Sequence, residues 1–284
     1  MLIMVTVFSY LPLSGWMMAF RDYKLGFSIF SGEFTGLRQF RIFFVDASDA
    51  MYTIRNTVCI NLLSLAVNLS SACFFALVLN EMRLLRLKKM VQSFSYFPYF
   101  VSWVIGHYIF NSFLAEQSGV INIVLQQIGL TSKGISFLGD PKYSWGLMVF
   151  ASLWKYLGSD TIIFLAAISG IDQEQYEAAD IDGASRFQKI SYITLPALMP
   201  TVVMILILNS GTIFNSNFDQ FFLFTNSLNW QRMEVLDMYI YRYGLKLLNF
   251  PYATAVGIVR TIVSIIMFLI VNQIAKRVRG QSLI

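Results

Sequence analysis

Charge is scarce in this 284-residue chain: Asp, Glu, Lys and Arg together make up 13% of it, about half of what a water-soluble domain carries. With 56% hydrophobic residues there is too little polar surface to coat a globule in water. A soluble fold is excluded and a polytopic membrane protein is implied. Histidine occurs once, as His107, and cysteine twice, as Cys59 and Cys73, so no zinc-ligand spacing can be assembled. The two cysteines share one apolar stretch and are separated by roughly 21 Å of helix, beyond disulfide reach. Both are read as packing residues. Any Gly-Lys dipeptide is also missing, and with it the phosphate-cradling loop of an ATPase. The net charge of +5 suits a chain that faces an anionic lipid leaflet and needs no nucleic acid.

Long apolar runs are what the chain has instead. Stretches at about 1–20, 57–80, 90–114, 144–170, 197–224 and 253–275 are each close to or above the ~20 residues that cross a bilayer. They predict an all-α fold of six transmembrane helices in a single domain over 1–284. The first stretch lacks the basic flank of a signal peptide and is read as a span. Lys155 and Asp160 in the fourth, Asp219 in the fifth and Arg260 in the sixth fall at or near membrane depth. Lys and Arg are nearly even between the two sets of connections. Their density favours both termini inside, because Arg83, Arg86, Lys88 and Lys89 crowd one short turn and Lys276, Arg277 and Arg279 the tail.

Between the fourth and fifth spans, residues 171–196 read IDQEQYEAADIDGASRFQKISYITLP. Asp172 is placed to cap a short helix with Gln175 as capping-box partner, and Gly183 to stop it. Pro196 then falls in the first turn of the next span, where a missing N–H costs little. Such a helix offers the small Ala178 and Ala179 to an outside surface and turns Glu177, Asp180 and Asp182 toward water or charge.

The spacing of Glu177, Ala178, Ala179, Gly183, Ile193, Leu195 and Pro196 resembles the E-A-A-x3-G-x9-I-x-L-P loop of binding-protein-dependent ABC importer permeases. FRDYKLG, TGLRQF, SGVINIVLQQIGL, FLGDPKYS, the Trp154-Lys155-x-x-Gly158 run, NFDQ and VLDMYIYRYGL are similar to the branch that imports sugars and polysaccharides. This resemblance implies the type I importer permease fold in a bacterial cytoplasmic membrane. It implies a non-catalytic subunit that docks through Glu177, Ala178, Ala179, Asp182 and Gly183 onto a cytoplasmic ATPase, with Ile193, Leu195 and Pro196 setting the join to the fifth span. The implied partners are a second related permease, two ATPase subunits that use ATP and Mg, and an extracytoplasmic solute-binding protein. No cofactor is expected on this chain.

A saccharide path needs polar groups at membrane depth. Asn209, Ser210, Asn215, Asn217 and Asp219 cluster on one side of the fifth predicted span, and amides and carboxylates suit sugar hydroxyls because they pair with them in twos. Lys155, Asp160 and Trp154 of the fourth span complete the candidate path. Lys155 and Asp160 lie well apart around their helix, so each needs another partner. The rival reading is a secondary transporter driven by an ion gradient, with Lys155, Asp160 and Asp219 as coupling charges.

Overall fold

The computed structural model describes residues 2–279. Among them there is no β-strand, only an isolated bridge between Arg21 and Phe34. Most of the described chain is helical, with irregular stretches such as 21–37 and 128–143, and five helices are long and apolar enough to cross a membrane. These are α1 (Ile3–Phe20), α2 (Ala50–Glu81), α6 (Ser144–Ser169), α8 (Arg186–Ser210) and α11 (Phe250–Arg277). Between them lie α3 (Leu85–Phe100), α4 (Trp103–Leu114), α5 (Val120–Gln127), α7 (Gln173–Ile181), α9 (Phe218–Phe224) and α10 (Leu236–Tyr241).

Two of the six predicted spans are not continuous. The third, expected over 90–114, is α3 and α4 joined by an extended Val101 and Ser102. Pro98 contributes no N–H in the last turn of α3, and Ser102 restarts the chain by accepting the N–H of Ile105 at 3.4 Å. The fifth, expected over 197–224, stops at Ser210 with Gly211 as its C-cap, and helix resumes only after Asn217. From residue 197 the helix has risen roughly 20 Å by Ser210, about two-thirds of the hydrocarbon core. Irregular backbone at that depth persists only where protein or a wet cavity satisfies it. Asn61 does so here, donating to the Ile213 carbonyl at 2.7 Å, while Asp237 accepts the Ser216 N–H at 2.7 Å.

Helix α6 is the centre of the bundle: 44% of its most apolar window is buried, against 6% for α1. It meets α2 and α8 in a cluster of Ala72, Ala76, Phe164, Ile168 and Leu198, where alanines four apart let backbones approach. It meets α3 at Gly158, where an added Cβ would sit 2.2 Å from the Ser95 carbonyl oxygen. A second cluster (Ile60, Trp103, Phe110, Met148, Phe221, Phe224) joins α2, α4, α6 and α9. Around Tyr239 and Tyr252, α10 is seated on α11 and on the start of α2.

Candidate functional site

The loop 171–196 projects from one end of the bundle. Asp172 caps α7 through the Glu174 N–H at 3.0 Å, so its carboxylate works as predicted, although the reciprocal capping box lies elsewhere. That box forms between Ser185 and Gln188 at the start of α8. Gly183 takes φ +75°, a conformation open to glycine at little cost. The turn closes with Ala184 N–H on the Ala179 carbonyl at 2.8 Å and Gly183 N–H on that of Asp180 at 3.1 Å, the paired bonds of a Schellman stop.

The helix is tied to α8 by Tyr176, whose hydroxyl lies 2.8 Å from that of Thr194, and by the 2.7 Å ion pair of Asp180 with Lys189. Glu177, Ala178 and Asp182 are left exposed and Ala179 half-buried. Ile193 is half-buried, while Leu195 and Pro196 are exposed. Pro196 does not open a new helix. A π turn over Ile190–Thr194 runs straight into it, so the backbone widens where the proline ring and missing N–H would otherwise break the ladder.

Among the spans lies a cavity of about 430 Å³ lined by α2, α6, α8 and the unwound segment after it. Its polar wall includes Asp160, Asn209 and Asn215 from the predicted set, joined by Asn61, Asn68 and Tyr156. Among the described residues no Lys or Arg lines it. Asn68 donates to Ser152 at 2.9 Å, and Asn217, just outside the wall, donates to the Tyr156 hydroxyl at 2.9 Å. Asn61, Ser64 and Asn68 were missed in the sequence, though a signal exists there: polar groups at i, i+3 and i+7 of an apolar span share one helix face.

Other predicted pathway residues are placed elsewhere. Ser210 is buried and its hydroxyl donates to the Ile207 carbonyl at 2.7 Å. Asp219 is exposed in the first turn of α9, where a carboxylate favours the helix dipole. Trp154 packs edge-on against Phe110, ring centroids 5.5 Å apart. Lys155 is buried and points away from the cavity: its ammonium donates to the carbonyls of Val101 and of Tyr99, the latter at 3.2 Å. It also stands 5.3 Å from the Trp103 ring centre. The ammonium thus satisfies the free carbonyls at the C-terminal end of α3, where a cation is favoured. Arg260 is paired with Asp237.

Outside the spans, Arg242 bridges Asp49 and Glu234, each at 2.6 Å, and the Tyr239 and Tyr243 hydroxyls donate to Asp49 at 2.9 Å. Burial pushes the Asp49 carboxyl up, but the hydrogen bonds from Arg242, Tyr239 and Tyr243 outweigh it and hold the group below its usual range. Tyr239 is fully buried, its hydroxyl 2.6 Å from that of Tyr252. Both cysteines are free, and no cluster of metal-ligating side chains occurs among the described residues.

A helical bundle with five membrane-length apolar helices, an exposed inter-span helix and an amide-walled cavity between its spans fits a membrane permease. Residues 68–280 match the binding-protein-dependent transport system inner membrane component, and the chain belongs to that family. Protein LplB of Bacillus subtilis (strain 168) is 39% identical over 277 residues, 98% of this chain and 86% of that one. The polygalacturonan/rhamnogalacturonan transport system permease protein YteP of the same organism is 35% identical over 271 residues, covering 95% and 84%. A bacterial ABC transporter that imports the acidic polysaccharide alginate contains a chain superimposing at TM-score 0.89 and 32% identity, over 98% of this chain and 93% of that one. The alginate transporter in complex with an alginate pentasaccharide-bound periplasmic protein matches at TM-score 0.90 and 32% identity, over 99% and 93%. The chain is therefore an ABC importer permease of the type I fold, a multi-pass inner-membrane subunit that is not itself catalytic. The ion-gradient reading falls away.

Proposed function

We propose that this permease forms one half of the path by which oligosaccharides or polysaccharide fragments enter the cell by alternating access. A second, related permease forms the other half. Two cytoplasmic ATPase subunits, using ATP and Mg, drive the cycle, and an extracytoplasmic solute-binding protein delivers the sugar. Both termini face the cytoplasm, so that 171–196 lies on the ATPase side. The names of YteP and of the alginate transporter support the saccharide class.

The observation that carries the coupling role is the exposure of the loop. Beside Glu177 and Ala178, Ile181 is 87% and Phe187 77% exposed, and apolar side chains presented this openly at one end of a bundle suit a protein contact. Asn61, Asn68, Asn209, Asn215 and Asp160 supply the hydroxyl-binding wall. Lys155, held by backbone carbonyls, is left out of it.

The test is ATPase and uptake in the assembled importer. Glu177→Lys reverses a charge on the docking face, and Gly183→Val forces a β-branched residue into a left-handed turn. Each is expected to lower sugar-dependent uptake about tenfold, the loss of ~1.4 kcal/mol of coupling, with the permeases still in the membrane. Wild-type uptake in both variants would remove the coupling role from this loop.

A further inference from the structure

A smaller pocket of about 300 Å³ adjoins the amide-walled cavity and shares Asn215 with it. Its other walls are Gly211 and one face of α11: Arg260, Thr261, Ser264, Ile265 and Phe268. Two polar atoms on this face are buried without a hydrogen-bond partner, the Nε of Arg260 and the hydroxyl of Ser264. Ser264 is only 8% exposed. Unpaired buried donors are rare and costly, so two on one wall call for a cause. They stand four residues apart on α11 and therefore one above the other.

Their chemistry restricts what can answer them. A guanidinium Nε–H donates and never accepts, and a serine hydroxyl beside it is free to donate. Asp237 holds the other edge of the guanidinium through Nη1 and is fixed in turn by the Ser216 N–H at 2.7 Å. The arginine is thus positioned at the pocket wall, with its Nε–H buried and unpaired. Asn215 offers a further amide from the unwound segment. Among the described residues no Lys or Arg lines the larger cavity, whereas Arg260, paired with Asp237 through Nη1, lines the smaller one.

We propose that Arg260, Ser264 and Asn215 form a carboxylate subsite that takes the uronate group of an acidic saccharide while its neighbouring rings occupy the amide-walled cavity. Two donors, one of them charged, match the two oxygens of a carboxylate. The proposal rests on the saccharide reading above and sharpens it to acidic sugars.

The test uses the reconstituted importer with its binding protein in liposomes, and reads ATPase and uptake with short oligogalacturonates or oligoalginates beside their carboxyl-reduced forms. Ser264→Ala removes one donor and nothing else. Arg260→Lys keeps a cation for Asp237 but loses the Nε–H. Each is expected to lower turnover on the acidic form about tenfold while leaving the reduced form within about twofold. Equal effects on both forms, or none on either, overturn the subsite, as does a wild-type importer that moves only the reduced sugars. Variants that fail to assemble with the second permease show instead that these donors belong to the subunit interface. If no sugar of either kind stimulates the wild type, the saccharide reading falls, and the subsite with it.

Discussion

An ammonium in a membrane helix must find partners or be neutralised, and Lys155 finds them in a place no side-chain pattern announces. Its partners are main-chain carbonyls at the end of α3, which every residue owns. The sequence could say that the charge was paired, because isolation would be too costly, but not with what. Burial of the lysine and its bonds to backbone carbonyls argue for an architectural role. Lys155→Met, close in length but without donors, is expected to destabilise the permease by about 2–3 kcal/mol, the worth of hydrogen bonds to a charged group. Thermal melts of the purified complex would register it, with the preference among sugars unchanged. A variant with wild-type melting but altered preference would place the ammonium in the path after all. The EAA spacing, by contrast, was readable residue by residue. Its geometry is local: a capped helix, a glycine at positive φ and a short return to the next span, all within 26 residues of chain.

At the scale of elements, hydropathy located the spans but could not see where they break. A window average is the same whether the chain between Val101 and Ser102 is helical or extended, and Pro98 alone does not decide it, since Pro200 sits inside α8 without ending it. What differs is tertiary. The carbonyls freed at the end of α3 meet Lys155, and those freed after Ser210 meet Asn61, so both breaks are stabilised by helices distant in sequence. The same argument identifies the seam that holds α3. Gly158 brings α6 so near that a methyl group would lie 2.2 Å from the Ser95 carbonyl oxygen. Gly158→Ala must push the helices apart, an overpacking cost of about 1–3 kcal/mol. Gly146, in the same helix, has nothing within 4 Å of its added Cβ, and Gly146→Ala is expected to cost nothing measurable. Parallel melts of the two variants check the seam; similar losses in both would make the effect one of helix backbone and not of packing.

Across the whole molecule, the ends of the bundle opposite the 171–196 loop are gathered by one charged network. Arg242 reaches Asp49, 193 positions earlier, and Glu234, with Tyr239 and Tyr243 closing on the same carboxylate. It joins the start of α2 to α10 and to the approach to α11, so the loops between spans are locked to the spans themselves. A depressed carboxyl pKa has a definite sign in stability. The folded chain holds Asp49 ionised below the unfolded value near 3.9. The stabilisation is therefore complete above that value and disappears as the pH falls through the lower folded one. Asp49→Asn removes one of the two carboxylates that Arg242 bridges and is expected to cost about 1–3 kcal/mol at neutral pH. Because the wild type loses the same contribution in acid, the two melting curves should converge as the pH drops from 7 through the range below about 4. A gap between them that stays constant with pH would mean that Asp49 holds this end of the bundle by shape and hydrogen bonding alone, with its charge contributing nothing.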